Sequence, residues 1–496
     1  MPPLVAAFVV FFTSGAILVL EILAARILAP YVGVTLETYT GIIATILAGI
    51  SLGSWYGGRL ADRVDPRSLL GPTVLIGGTI ALFAVPLVTF FGQLLRGGGN
   101  AAILILALVG FFAPAAVLAA ATPLVVKIQL RSLDETGRTV GTLSAIATAG
   151  AIIGTLLTGF VLIRFFANRP IVLAVGGSLV VLGVVLWGWL WPRDTARRPV
   201  LATFGVGAAL LTAFAASPCD RETSYYCARV LVDDDRPSGR VLVLDTLRHS
   251  YVDLDDPTYL DFGYMRMFAD VIDAHFEAGA ALDVLHVGGG GFTMPHWLEA
   301  TRPGTRSVVL ELDGELVQLA EDELGLERTD GLRIEVGDAR LSLAAEPAGA
   351  YDVVIGDAFG GLAVPWHLTT VEFVHEIRHR LTPEGVYVIN VIDHPPLAFA
   401  RAEAATLAAV FDHVAVVAQP ERLARADGGN LVLAGSDAPL DAEAIQRSID
   451  AREGPETVAT HGTLEAFVGD AQVLRDAYAP VDQLLTPHPA RARTLR

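Results

Sequence analysis

Cysteine is nearly absent: the 496 residues hold two, Cys219 and Cys227. That count excludes a disulfide-rich scaffold. Lysine is reduced to Lys127, and charged residues make up only 18% of the chain, low for a soluble protein. The scarcity is uneven. Residues 1–217 carry 13 Lys/Arg and 7 Asp/Glu along with most of the long apolar runs, whereas the remainder carries 22 and 46. The break near Ser217 implies at least two domains. So acidic a second half is a poor nucleic-acid binder and attracts cations such as polyamines, although acidity also serves solubility alone.

What is abundant is hydrophobic sequence, 53% of the chain. Seven segments are long and apolar enough to cross a ~30 Å hydrocarbon core: Leu4–Leu28, Tyr39–Tyr56, Leu69–Phe91, Ala101–Val126, Val140–Ile163, Ile171–Trp191 and Val200–Ser217. The first lacks a basic leader and carries Glu21 and Arg26, so it reads as a retained helix rather than a signal peptide. Arg59, Arg63, Arg67, Lys127, Arg131, Arg138, Arg193, Arg197 and Arg198 fall in one set of loops, and Arg96, Arg164 and Arg169 in the other. This asymmetry places the first set and the N-terminus in the cytoplasm. Seven spans then put everything after Ser217 outside a plasma membrane. The cysteines agree: a pair eight residues apart just past the last span suits a disulfide, which persists in oxidising compartments. Glu21 and Arg26 lie five apart, off a common helical face, and need separate partners. Gly150, Gly154 and Gly159 permit close helix packing.

Beyond Cys227 the pattern changes. Ala228–Val232 and Arg240–Asp245 flank an acidic, glycine-containing turn and predict a hairpin. A helix is expected over Tyr264–Phe276. Strands are expected at Asp283–Val287, Ser307–Leu312, Arg333–Val336, Asp352–Ile355, Val386–Val391, His413–Val417 and Asn430–Ala434, with helices between most of them. That alternation predicts a mostly parallel sheet covered on both faces. The fold class expected is a multi-pass α-helical membrane domain (1–217), a small N-terminal β region (218–262), an α/β Rossmann-like domain of the methyltransferase type (263–440) and a tail (441–496).

The strand ends carry the chemistry. The first is followed by Gly288-Gly289-Gly290-Gly291, where missing side chains let a ligand approach the backbone. The second ends in Glu311-Leu312-Asp313, about twenty residues on, where Glu311 can accept both ribose hydroxyls. The third ends in Gly337-Asp338-Ala339, where a carboxylate can accept the adenine amino proton, and the fourth in Gly356-Asp357-Ala358-Phe359. Four successive ends of this kind predict a nucleoside site.

From Glu222 to Ala434, with an echo at Ala479-Pro480-Val481-Asp482, the chain resembles the spermidine synthase (polyamine aminopropyltransferase) family. The stretch from Asp357 to Phe373, with Pro365, His367-Leu368-Thr369-Thr370 and Glu372-Phe373, is similar to its membrane-fused branch. The resemblance implies transfer of an aminopropyl group from decarboxylated S-adenosylmethionine, a co-substrate rather than a resident cofactor, to a small-molecule amine. It implies Gly288, Gly289, Gly290, Glu311, Asp338 and Ala339 around the nucleoside, Asp357 as the catalytic carboxylate, and Tyr264, His249 and Tyr225 toward the substrate. The expected partners are the lipid bilayer, the amine and a second copy of the chain in a homodimer, with no nucleic acid and no metal. Five positions depart from the family: Gly291 replaces an acid, Gly360 an Asp, Arg266 and Asp270 a Glu and a His, and His249 a Gln. These departures fall on the amine side. A different acceptor, a methyl donor, or a binding-only sensor or transporter fits them as well. An outward-facing domain would also need its cytoplasmic donor delivered.

One rival motif remains. His375-Glu376-Ile377-Arg378-His379 matches the H-E-x-x-H zinc pattern, with Glu403 as a third ligand. Its helix follows a Rossmann-like strand, a context that favours a solvated helix face.

Overall fold

The computed structural model describes residues 1–95, 98–130, 132–190, 198–214, 217–360 and 364–486, with the side chains of 198–204 and 206 left out of that description. Arg96, Arg131, Arg193 and Arg197, used above for orientation, lie outside the described residues, as do Trp191 and residues 215–216. The chain divides into two compact units. The first holds Met1–Ala228 and Leu244–Thr246; the second holds Arg229–Val243 and the described residues from Leu247 onward.

Among the described residues of the first unit, six helices are long and apolar enough to cross a membrane: Pro3–Val32, Leu36–Arg63, Pro66–Leu94, Gly99–Gln129, Leu133–Phe165 and Asn168–Leu190. The first six expected spans fall on them. The seventh falls on the helix Arg198–Phe214, whose 17 residues reach about 26 Å at 1.5 Å each, short of a ~30 Å core. Thr35 caps the second helix by accepting the Thr38 N–H at 3.3 Å, and Asp65 caps the third through the Arg67 N–H at 3.1 Å.

Close backbone approach at small residues holds these helices together. A Cβ on Gly150 would lie 2.1 Å from the Phe11 carbonyl oxygen, and one on Gly154 would lie 2.6 Å from that of Gly15. These two glycines seat the fifth helix on the first. Gly71 and Gly183 do the same for the third and sixth: a Cβ on either would come within 2.4 Å of the backbone nitrogen of Trp187 or Leu75. Gly159 differs from the expectation. A Cβ there meets nothing within 4 Å: Gly159 stands five residues past Gly154 rather than four, which at about 100° per residue takes it off the shared face, and it lies in the π-helical turn Thr158–Leu162.

Four strands form the small β region in the order β1 (Arg221–Glu222), β2 (Cys227–Val232), β3 (Gly239–Leu244) and β4 (Leu247–Asp253). The expected hairpin is β2–β3.

The second unit is built on an eight-stranded sheet. Its strands are β5 (Asp283–Val287), β6 (Arg306–Glu311), β7 (Leu332–Val336), β8 (Tyr351–Gly356), β9 (Leu381–Asp393), β10 (His413–Ala418), β11 (Gly429–Ser436) and β12 (Thr457–Ala459). They lie in the order β12-β10-β11-β9-β8-β5-β6-β7. The run from β7 to β9 is parallel, while β11, β10 and β12 add antiparallel pairings. Alternation along each strand feeds two cores. Val284, Val353, Val386 and Val388 pack with Phe268, Val271 and Ile272 of the helix Gly263–His275. Leu285, Val354, Tyr387 and Ile389 pack with Phe373, Val374 and Phe399 on the other face. Strand order reverses at β5, with β6 and β7 on one side and β8 on the other, and such a switch point opens a crevice beyond the carboxyl ends.

Candidate functional site

At that crevice, four strand ends meet. Gly288 follows β5 with φ +97°, and a Cβ there would sit 2.7 Å from the Asp357 carbonyl oxygen. Only glycine serves, and the glycine turn is thereby pressed against the end of β8. Gly290 also has positive φ, +52°. The buried Glu311 carboxylate closes the turn from β6. Its Oε2 accepts the N–H of Gly289 at 2.8 Å and of Gly290 at 3.3 Å, and its Oε1 accepts the Asp313 N–H at 2.9 Å. Burial raises its pKa, and the three N–H donors work against that rise.

Asp338 caps the helix that Ala339 opens: Oδ1 accepts the N–H of Arg340 at 2.9 Å and of Leu341 at 3.2 Å. Oδ2 lies 3.4 Å from His367 Nε2. Arg340 reaches across to Asp476 at 2.6 Å and so ties this corner to the tail.

Asp357 has the most developed surroundings. Tyr264 Oη donates to its Oδ2 at 3.0 Å and Asn390 Nδ2 to its Oδ1 at 3.0 Å, while Asn430 Nδ2 donates to Asn390 Oδ1 at 3.0 Å. Burial pushes the Asp357 carboxyl up to about 6, and the two donors hold it from rising further. Burial and the Asp357 charge push the Tyr264 hydroxyl well above its usual range, so it stays a donor. The Tyr264 ring is fixed between Phe262, stacked at 5.8 Å, and Phe268, edge-on at 5.7 Å.

β4 supplies the rim. His249 lies against the glycine turn: a Cβ on Gly290 would be 3.3 Å from its Nδ1. Burial lowers the His249 pKa to about 4, leaving a neutral ring at pH 7. Ser250 Oγ accepts the Gly291 N–H at 2.9 Å. A Cβ on Gly291 would lie 2.7 Å from Ser250 Cβ, so no acidic side chain fits there without moving β4.

Gly288, Gly289, Gly290, Glu311, Asp338, Ala339, Asp357, Tyr264 and His249 thus share the carboxyl edge of one sheet or its rim. Tyr225 belongs to the first unit, where it lines another cavity. Cys219 and Cys227 are joined in a disulfide with Cα atoms 5.2 Å apart. Arg266 donates to the carbonyls of Leu260 and Asp261, and Asp270 pairs with Arg452 at 2.6 Å; both are spent on structure. His375, Glu376 and His379 are exposed and Glu403 is wholly buried. Among the described residues no three His, Cys, Asp or Glu gather as metal ligands. Sequence reasoning missed Asn390, Asn430 and Ser250. The one available signal was Asn390, a polar residue interrupting the apolar run Val386–Val391.

No family model matches the chain. It is 27% identical over 212 residues to the polyamine aminopropyltransferase of Vibrio vulnificus (strain CMCP6), covering 40% of this chain and 69% of that one. It is 27% identical over 142 residues to the polyamine aminopropyltransferase of Chromobacterium violaceum, where it spans 28% of this chain and 53% of the relative, about half its length. Among solved structures it is similar to a probable spermidine synthase from Corynebacterium glutamicum ATCC 13032, at 31% identity and a TM-score of 0.49, with 54% of this chain and 98% of that one covered.

Proposed function

The chain belongs to the polyamine aminopropyltransferase (spermidine synthase) family, and from that premise we propose that its second unit moves an aminopropyl group from decarboxylated S-adenosylmethionine to an amine acceptor. The observation that carries this reading is Asp357, a carboxylate poised near 6 beside the glycine turn. At pH 7 such a group is about nine-tenths ionised. The amine nitrogen attacks the methylene next to the sulfonium, and the carbon–sulfur bond breaks with its electron pair going to sulfur. Methylthioadenosine leaves, and the proton shed by the new ammonium passes to Asp357. A sulfonium is already a good leaving group, so the protein's main tasks are alignment and proton removal. Tyr264 and Asn390 keep both carboxylate oxygens aimed. The glycine turn, Glu311 and Asp338 serve the nucleoside.

The first unit is read as a bilayer anchor in the plasma membrane with its N-terminus in the cytoplasm. Six spans return the second unit to the cytoplasmic side, where the donor is made; a seventh at Arg198–Phe214 puts it outside. The disulfide supports the outside placement.

Calorimetry tests the chemistry. The purified full chain is titrated with decarboxylated S-adenosylmethionine, S-adenosylmethionine and methylthioadenosine, each with and without spermidine. Preferential binding of the decarboxylated donor or methylthioadenosine supports the transfer. Preference for S-adenosylmethionine instead points to a methyltransferase, and no nucleoside binding at all overturns the reading.

A further inference from the structure

We propose that the first unit contains a second, separate binding site, in which Glu21 holds the ammonium group of a protonated organic amine. A cavity of about 510 Å³ lies wholly within that unit, inside the ~300–1,000 Å³ usual for small-molecule sites. Its walls bring Glu21 and Arg26 of the first helix together with Tyr31, Tyr39 and Tyr225. Gly159 opens one side, at the π-helical turn where a Cβ meets nothing within 4 Å.

Five charged side chains line the cavity, Glu21, Arg26, Arg169, Glu222 and Asp245, and the three carboxylates and Arg26 resolve unequally. Arg26 is committed to the carbonyl oxygens of Thr223 and of Ser224, the latter at 3.3 Å. Asp245 accepts the Cys227 N–H at 3.0 Å and feels the Arg26 charge. Glu222 accepts the Asn168 N–H at 2.9 Å. Glu21 has no hydrogen bond or ion pair to any described residue. A carboxylate part-way along a membrane-length helix is costly and calls for a cation. Tyrosine faces suit an organic ammonium, and Ile22, Val85 and Ile163 offer apolar wall to its methylenes. A calcium-like ion needs six or more oxygen ligands; a single uncommitted carboxylate in a roomy cavity fits a one-charge organic head better.

The test is equilibrium binding of radiolabelled spermidine to the full chain in lipid nanodiscs, with methylthioadenosine binding as the measure of an intact second unit. Glu21→Gln is expected to weaken spermidine binding at least tenfold and to leave methylthioadenosine binding unchanged. Glu21→Asp should keep spermidine within a few-fold. Gly159→Leu, whose side chain meets no protein atom at Cβ, should fill the cavity and block the amine. Asp357→Asn should leave this amine affinity unaltered, so failure here is distinct from failure of the transfer reading. Spermidine affinity unchanged by both Glu21→Gln and Gly159→Leu overturns the proposal. So does a site that takes sodium ions but no amine.

Discussion

Replacing Asn390 with leucine removes one donor from Asp357 while nearly conserving volume. The lost bond is 3.0 Å long and goes to an ionised oxygen. Such bonds contribute about 1.5–3 kcal/mol, and 1.36 kcal/mol corresponds to one pH unit, so the Asp357 pKa should climb from about 6 by roughly one to two units. In the proposed role Asp357 takes a proton and so acts in its ionised form, and activity is expected to rise as pH climbs through its pKa. The acidic limb of kcat/KM should therefore move up from near pH 6. The variant should lose about two- to tenfold at pH 7 and recover to within a few-fold of the parent at pH 9. The assay is methylthioadenosine release from decarboxylated S-adenosylmethionine, with spermidine or putrescine as acceptor, between pH 5 and 9. Asn430→Leu, which frees Asn390 Oδ1, should shift the limb the same way by less. A limb that stays put in Asn390→Leu refutes the role given to this pair. A limb moving down refutes the charge state of Asp357.

Asp357→Asn should lower turnover by at least ~100-fold and leave methylthioadenosine affinity within a few-fold by calorimetry. The pKa of this carboxyl is raised on folding, so the stability it contributes is present below about pH 4 and lost as pH rises through about 6. Asp357→Asn should accordingly raise the melting temperature at pH 8 more than at pH 4. Gly291→Asp should destabilise the second unit by about 1–3 kcal/mol through the contact with Ser250, and Ser250→Gly should restore most of that loss in a double-mutant cycle read by thermal melting. For orientation, a phosphatase fused at residue 486 should be active in intact cells and a green fluorescent fusion dark; the reverse pattern places the second unit in the cytoplasm.

The strand ends are legible in the sequence because β5, β6 and β8 are short stretches rich in Val, Leu and Ile, β7 alternates apolar and charged residues, and each is closed by glycine or acid, a local pattern. The strand expected at Asp283–Val287 coincides with β5 residue for residue. β4 was missed since Leu247–Asp253 mixes Arg, His, Ser and Asp, and β12 has only three residues. That β10, β11 and β12 run antiparallel depends on pairing partners far along the chain, which periodicity does not record. The site divided in the same way. Asp357 and the glycines announce themselves by position, but the support from Asn390 and Asn430 joins strands 33 and 40 residues apart. Gly159 stands five residues past Gly154, whereas Gly150 and Gly154 are four apart, so the spacing itself takes it off their packing face.

The contact between Ser250 and Gly291 ties together two positions 41 residues apart in the chain. Ser250 Oγ accepts the Gly291 N–H, and a Cβ at 291 would lie 2.7 Å from Ser250 Cβ. A larger residue at 291 is therefore accommodated only together with a change at 250. For anyone redesigning the amine side of the crevice, the two positions form a single unit of substitution: a library that varies one and holds the other fixed samples only misfit pairs.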